Sequence, residues 1–288
     1  MTVASTTEAG ARPRRPGRRP PVPAWVGTVP FLGYVGVFLL LPTGLVVYDA
    51  FRNPNGGFSL SGVKALGSPA VRGFFIGSLE LCLISSLIGA VFGAILAYAV
   101  ASGNPDGTVR RLYLAVSGVL AQFGGVTLAF AFLVFIGPVG LLVHVSWFYV
   151  FPWGITVIYA YFQIPLMVLV FMPAIDGLKV QWREASENLG ASAWQYWRHV
   201  GGPLLAPAFI GAALLLFANA LSAFATIQAW ENQIAYTVPQ QISTALNSEV
   251  GLANANYADV LALGMVVMVA IVMAGYALLQ RRAARWLR

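Results

Sequence analysis

Long apolar runs separated by short polar ones set the pattern of this chain. Hydrophobic residues concentrate at about 28–48, 74–100, 112–136, 153–174, 204–228 and 258–280. A helix needs roughly 20 consecutive apolar residues to cross the hydrocarbon core of a bilayer, and each run is close to that length or longer. The pattern therefore predicts an all-α polytopic membrane protein with about six transmembrane helices. Between Arg111 and Asp176 there is no Asp, Glu, Lys or Arg, a stretch long enough for at least two crossings. Composition agrees: hydrophobic residues make up 58% of the 288 and charged ones 9%, far from the balance of a water-soluble domain.

Charge orients the spans. The net charge of +7 does not point to nucleic acid, because the arginines gather at the termini and in loops that flank apolar runs, as membrane anchors do. With both termini in the cytoplasm, the inner segments hold the tail arginines, Arg110, Arg111, Lys179, Arg183, Arg198, Arg281, Arg282, Arg285 and Arg288, and only Arg52, Lys64 and Arg72 fall outside. The expectation is a membrane protein that crosses the bilayer several times with both termini in the cytoplasm. Residues 1–23 carry Arg12, Arg14, Arg15, Arg18 and Arg19 among prolines and read as a disordered basic cytoplasmic tail. A secretory signal is disfavoured, since the apolar run that follows is too long for one. Residues 24–73 then form the first transmembrane helix and an outer loop, residues 74–280 the main membrane domain, and residues 281–288 a second basic tail.

Two outer segments admit two readings each. Trp147, Phe148, Tyr149, Phe151 and Trp153 suit an interfacial loop at headgroup depth; a stacking platform for a solute is the functional alternative. The segment from Trp230 to about Tyr257 holds Glu231, Glu249 and Pro239 and reads as a solvated connector with one short helix or as a contact for an extracytoplasmic partner.

The loop from Asp176 to Pro203 is the polar interruption with the most readable local structure. Val180 to Leu189 can form a short helix that Gly190 stops, because glycine tolerates the left-handed conformation at a helix end. Ser192 and Gln195 have the spacing of a capping box. A second helix through Trp194, Trp197 and Arg198 follows, closed by Gly201-Gly202-Pro203. The expected result is a compact helix-turn-helix between two membrane spans.

The same loop resembles the signature of the inner-membrane permease subunits of type I binding-protein-dependent ABC importers. That signature runs Glu-Ala-Ala, three residues, Gly, nine residues, Ile, one residue, Leu-Pro. This chain reads Glu184-Ala185-Ser186, Gly190, Val200 and Gly202-Pro203 in the same register. Ser186 for the second Ala exchanges small for small, whereas Gly202 for Leu is expected to loosen the end of the second helix. The resemblance extends from about Phe74 to Leu279, with Ser78-Leu79 and the run Gly124-Gly125-Val126-Thr127-Leu128-Ala129-Phe130 looking most like permeases for polyamines, ferric ion or aminoethylphosphonate.

What the resemblance implies is specific. Residues 74–280 would be a transmembrane permease domain that pairs with a second, homologous or identical, permease subunit. Two cytoplasmic ATPase subunits and an extracytoplasmic solute-binding protein would complete the assembly. Glu184, Ala185, Ser186, Gly190 and Pro203 would form the cytoplasmic coupling helix and its surroundings, docking on an ATPase subunit and passing its motion to the membrane helices. A polyamine such as spermidine or putrescine is one implied solute, with phosphonate or ferric ion as others. A lipid-facing amphipathic loop helix is the plainer account of the same residues.

The chemistry absent from the sequence fits that division of labour. Lys64 and Lys179 are preceded by Val63 and Leu178, so the Gly-Lys-Ser/Thr end of a phosphate-binding loop cannot be written here. The chain is expected to be a transport subunit, not an enzyme, without cofactor or metal; His144, His199 and Cys82 do not make a ligand set. A carrier driven by an ion gradient is the alternative, with Glu80 as its coupling acid. Neutral polar residues in the spans, Gln122 and Gln163 together with Asn219, Ser222 and Thr226 at helical spacing, are candidates for a translocation path. Interhelical hydrogen bonding is the commoner use of such residues in membranes. Gly89, Gly93 and Ala97 offer a small-residue face for close helix packing.

Overall fold

The computed structural model describes residues 28–52, 57–104, 106–136, 148, 151–230, 237–247 and 251–285. Among them the only extended pairing is a single bridge between Arg52 and Phe58, and every named element is helical. The architecture is all-α. Five helices are long and apolar enough to cross a membrane, and a bent pair makes a sixth span if counted as one. His144, Trp147, Tyr149, Glu231, Glu249, the first tail and residues 286–288 of the second lie outside the described residues.

The chain divides into two units, Met1–Leu45 and Val46–Arg288. In the first, the helix α1 (Val29–Ala50) begins and contains a π-turn at Gly36–Leu40. Pro42 follows that turn. A proline inside a regular helix has no N–H to give and its ring meets the carbonyl four residues back; here the Leu41 N–H bonds instead to the Gly36 carbonyl, five residues back. The wider turn lets an apolar helix carry a proline without ending.

In the second unit, a short helix α2 (Ser61–Ala65) precedes α3 (Pro69–Ala101). The Ser68 hydroxyl caps α3 by accepting from the Val71 N–H, and Pro69 occupies the first turn, where no N–H is needed. Then come α4 (Thr108–Gln122), α5 (Val126–Ile136), α6 (Trp153–Asp176), the loop helix α7 (Val180–Asn188) and the long α8 (Ala193–Ser222). The helices α9 (Phe224–Trp230), α10 (Val238–Asn247) and α11 (Gly251–Arg285) complete the chain.

Helix α6 is the axis of this unit: two-thirds of its most apolar window is buried. It packs against α3 on the face expected from sequence. A Cβ added at Gly93 would stand 2.4 Å from the Met167 Cβ and 2.7 Å from the Ile164 carbonyl oxygen, and one at Gly89 2.7 Å from the Gln163 Cβ. Ala97, one turn on, is fully buried. Only hydrogen at these positions permits so close an approach of two backbones, and close approach is what holds helices together where lipid is as apolar as leucine.

Two apolar clusters line α6 on either side of this contact. One joins Ile155, Ile158, Tyr159 and Phe162 to Leu81, Phe217 and Trp230. The other joins Met167, Val168, Phe171 and Ile175 to Ala90, Leu205 and Leu216. The only buried polar side chains between them along α6 and α3 are Gln163, whose Nε2 donates to the Ser85 hydroxyl at 3.2 Å, and its neighbours Ser85 and Ser86. A third cluster seats α10 on α3 and α11 through Val238, Val71 and Leu261, and the Val238 N–H donates to the buried Ser78 hydroxyl at 2.9 Å. The short helix expected between Trp230 and Tyr257 is therefore packed, not solvated.

Two expected spans are interrupted. The run 112–136 is not one straight helix: α4 and α5 meet at 95°, because Gly124-Gly125 ends α4 and Gly125 takes a φ of 75°, a conformation that favours glycine. The run 204–228 breaks at Ala223, with φ −80° and ψ 47°, so α8 and α9 are separate helices. Periodicity and hydropathy do not register either break, since the residues across each remain apolar.

The close contact is testable by adding atoms to it. Gly93→Val is expected to lower the thermal unfolding midpoint of the detergent-solubilised protein, by the equivalent of about 1–3 kcal/mol as overpacking typically costs. Gly73→Ala, in the same helix with open space around it, is expected to leave the midpoint unchanged or slightly raised.

Candidate functional site

The loop after α6 is a built structure. Gly177 caps α6, and after Lys179 the chain enters α7, which contains no buried residue. Arg183 and Glu187 form an i,i+4 ion pair at 2.9 Å with both side chains more than half exposed, a contact worth only a few tenths of a kcal/mol. Lys179 lies over the Trp182 ring, 5.8 Å from its centroid. Glu184, Ala185 and Ser186 stand in the middle of α7; Ser186 donates its hydroxyl to the Arg183 carbonyl at 2.7 Å, and Glu184 is exposed.

What stops α7 is a Schellman arrangement. The Ala191 N–H bonds to the Ser186 carbonyl at 3.0 Å and the Gly190 N–H to the Glu187 carbonyl at 2.9 Å, with Gly190 at a φ of 78°. That geometry satisfies two of the helix's last carbonyls and requires a left-handed residue at the Gly190 position. Two residues later Ser192 and Gln195 form both halves of a capping box: the Ser192 hydroxyl accepts from the Gln195 N–H, and the Gln195 Oε1 accepts from the Ser192 N–H at 2.7 Å. The turn between the two helices is thus held by backbone and cap hydrogen bonds at both ends.

The expectation that Gly201-Gly202-Pro203 closes the second loop helix is corrected. The chain stays helical from Ala193 to Ser222 and enters the membrane as α8, with a π-turn at Trp197–Gly201. The device is the one found before Pro42: the Gly202 N–H reaches the Trp197 carbonyl, five residues back, ahead of Pro203. Gly202 is fitted to this turn, because a Cβ there would lie 2.5 Å from the Trp197 oxygen; a Cβ at Gly201 would lie 2.9 Å from the Trp197 ring. Gly202 therefore does not loosen a helix end but permits the helix to continue.

Tyr196 is buried and Trp197 half-buried. The Trp197 ring meets Tyr98, near the end of α3, edge to face at 5.1 Å, and packs against the core cluster at the Asp176 end of α6. At the same end Arg110, at the start of α4, is paired with Asp176. The ends of α3, α4 and α6 and the loop thus come together, a convergence that the sequence did not announce beyond placing their charges on one side.

The five candidate path residues separate. Gln163 is fully buried, with its Oε1 lacking a hydrogen-bond partner. Gln122 is exposed at the end of α4, and Asn219 is half-buried on α8. Ser222 is exposed and donates to the carbonyl of Asn219 at 2.9 Å. Thr226, beyond the break at Ala223, is buried and its hydroxyl accepts from the Gly125 N–H at 3.0 Å. Because of that break, Asn219, Ser222 and Thr226 do not form one continuous helical face. Glu80 is exposed.

Two hydrogen bonds that the sequence does not foretell meet the two breaks. Tyr159 of α6 donates its hydroxyl to the Ala223 carbonyl at 2.7 Å, and Gly125 at the α4–α5 bend is the donor to Thr226. Each gives a partner to a backbone group that a helix break releases, as an apolar surround requires. A tyrosine in an apolar run carries no positional signal by which such a role could be read.

Residues 89–288 match the family model of the binding-protein-dependent transport system inner membrane component. Among curated proteins, the chain is 26% identical over 172 residues to the sulfate transport system permease protein CysT of Escherichia coli (strain K12), covering 57% of this chain and 60% of that protein. It is 27% identical over 179 residues to the trehalose transport system permease protein SugB of Mycobacterium tuberculosis (strain CDC 1551 / Oshkosh), covering 62% and 59%. It is 25% identical over 187 residues to the molybdenum transport system permease protein ModB of Escherichia coli (strain K12), covering 62% and 81%. The matched segment spans about three-fifths of the length of the first two. In fold, the chain is similar to a solved chain of a bacterial ABC transporter involved in the import of the acidic polysaccharide alginate, with a TM-score of 0.70, 18% identity, and 90% of this chain and 94% of that one covered.

Two substitutions test the site's construction. Thr226→Val leaves the Gly125 N–H without its acceptor and is expected to destabilise the protein by about 1–3 kcal/mol, read as a lowered unfolding midpoint in detergent. Gly190→Val, forced into a left-handed φ, is expected to cost about 1–2 kcal/mol locally. Its readout is faster amide exchange across residues 185–196 with little change in α3 or α6.

Proposed function

The chain belongs to the family of binding-protein-dependent transport system inner membrane components, and on that premise we propose that it is the permease subunit of an ATP-driven importer. One observation carries the reading: α7 is a capped, rigid helix with no buried residue of its own, held out from the membrane helices on a turn hydrogen-bonded at both ends. A surface so ordered, yet so little used within its own chain, suits docking on another subunit.

The partners follow from that role. Two cytoplasmic ATPase subunits receive α7 of this chain and of a second permease subunit, and an extracytoplasmic solute-binding protein delivers the solute. With the loop facing the cytoplasm, both termini lie there too. Glu184 offers charge-assisted contacts to an ATPase surface, and Gly190 sets the turn that presents it. ATP binding closes the ATPases, the loop moves with them, and the spans alternate between outward and inward access. The breaks at Gly125 and Ala223, the first partnered by Thr226 and the second by Tyr159, support a path that opens in the neighbourhood of α5, α8 and α9. Asn219 and Ser222 lie beside it, and Gln122 ends the helix that leads into the Gly125 bend.

For the solute, we favour a small oxyanion over a polyamine. Two of the relatives are permeases for sulfate and molybdenum. The buried polar side chains of the described residues are Ser, Thr and Gln, and neutral donors suit an oxyanion, whereas a polycation calls for carboxylates. Trehalose, transported by the SugB system, would be served by the same neutral groups.

Co-purification with candidate ATPase subunits is the direct test. Glu184→Arg and Gly190→Val are each expected to weaken ATPase association by roughly tenfold or more, the scale of losing a hot-spot contact. Retention of association and of transport-coupled hydrolysis in both variants would overturn the docking assignment. Vesicles containing the full assembly and its binding protein are expected to accumulate sulfate or molybdate in preference to spermidine; uptake of spermidine alone would reverse the solute reading.

A further inference from the structure

We propose that Trp197 is the positioning residue through which displacement of α7 reaches α3, and that the π-turn behind it keeps the same displacement from passing straight into α8. The inference rests on the reading of α7 as an ATPase-docking helix and adds the route by which its motion enters the membrane.

The loop has few places to push. α7 has no fully buried residue, and beneath it lies a cavity of about 170 Å³ lined by Tyr98, Ser102, Leu178, Arg183, Tyr196 and Trp197. Over that stretch the loop stands clear of the helix ends. Its anchorage is Tyr196, buried, and Trp197, which packs against the inner core cluster and meets Tyr98 edge to face at 5.1 Å and 88°. An indole has two side-chain torsions and a rigid ring, so it transmits displacement without absorbing it.

Helix α8 is a poor route by comparison. From Trp197 on its hydrogen bonding widens to the five-residue spacing of a π-turn, which ends at Gly201 with Gly202 as its cap. π-Turns are uncommon and found mostly as single turns inside α-helices, often at functional sites, and consecutive glycines add backbone freedom. A push that arrives there bends the turn instead of translating the helix. α3 is the opposite: 33 residues without a break, in backbone contact with α6 at Gly89 and Gly93. What moves Tyr98 moves the α3–α6 pair as a body.

The test uses the full chain assembled with its ATPase subunits in lipid nanodiscs, with a non-hydrolysable ATP analogue as the probe, so that no solute is needed. Spin labels at Gln181 and Leu215, both exposed, report the loop against α8; labels at Leu87 and Leu215, also exposed, report α3 against α8. The analogue is expected to shift both distances in the otherwise unsubstituted protein. In Trp197→Ala the loop shift is expected to persist while the α3 shift falls about tenfold, within the range for loss of a coupling contact; Trp197→Phe is expected to restore most of it. Tyr98→Ala removes the same contact without altering the loop and is expected to reproduce the loss, which decides the matter if Trp197→Ala assembles poorly. An undiminished α3 shift in Tyr98→Ala, or no α3 shift before substitution, would overturn the inference. Failure of the unsubstituted chain to bind any ATPase subunit would instead overturn the docking reading on which it rests.

Discussion

The approach of α3 to α6 at Gly89 and Gly93 is the constraint on which the rest of the second unit depends. A methyl group at Gly93 would overlap both a side chain and a carbonyl of α6, so the two backbones meet with nothing between them. In water such a contact would be one among many, because burial of apolar surface drives helices together anyway. In a bilayer that driving force is missing, and packing of this closeness takes its place. Both apolar clusters along α6 are built outward from this contact, and the ends of α4 and α8 are located by α6 and α3, through Arg110 and Asp176 in one case and Trp197 and Tyr98 in the other.

A second constraint, that no backbone polar group be left bare in an apolar surround, explains where the chain departs from straight helices. Pro42 and Pro203 each follow a π-turn whose last hydrogen bond runs from the residue before the proline to the carbonyl five residues back from it. The breaks at Gly125 and Ala223 release backbone groups, and side chains from other helices meet them: the Thr226 hydroxyl for the Gly125 N–H, the Tyr159 hydroxyl for the Ala223 carbonyl. The Thr226 hydroxyl, which looks in sequence like a solute contact, is committed to the backbone. The Gln163 amide illustrates a partial commitment, its Nε2 bonded to Ser85 and its Oε1 left over beside Gly89.

How much was legible follows from which physics is local. The α7 helix, its stop at Gly190 and the box at Ser192 and Gln195 were readable because caps depend on residues within one turn of each other. The glycine face of α3 was readable because its spacing is fixed by the helix itself. The 95° bend between α4 and α5 was not, since apolar residues lie on both sides of Gly124-Gly125 and hydropathy counts them as one run. The continuation of α8 through Gly201-Gly202-Pro203 was misread for a related reason: two glycines and a proline are the usual end of a helix, and only the position of Trp197 five residues earlier makes them its middle. Contacts such as Arg110 with Asp176 join residues far apart in the chain and leave no trace in either neighbourhood.

The unbroken course of α8 through Pro203 gives the departure at Gly202 its meaning. Judged against the family signature, a glycine in place of leucine before Pro203 looks like a defect tolerated at a helix end. Judged against the structure, any Cβ at that position would strike the Trp197 carbonyl at 2.5 Å, and a Cβ at Gly201 would press on the indole itself. Glycine at both positions and tryptophan at 197 are therefore parts of one solution: the indole lies against the space left at Gly201, the Trp197 carbonyl against that left at Gly202, and the widened turn makes room for Pro203. A leucine restored at 202 without a change at 197 would bring the chain closer to the signature and further from its own fold. The signature records which residues commonly occupy the loop, but the steric fit among Trp197, Gly201 and Gly202 decides which of them this chain can accept.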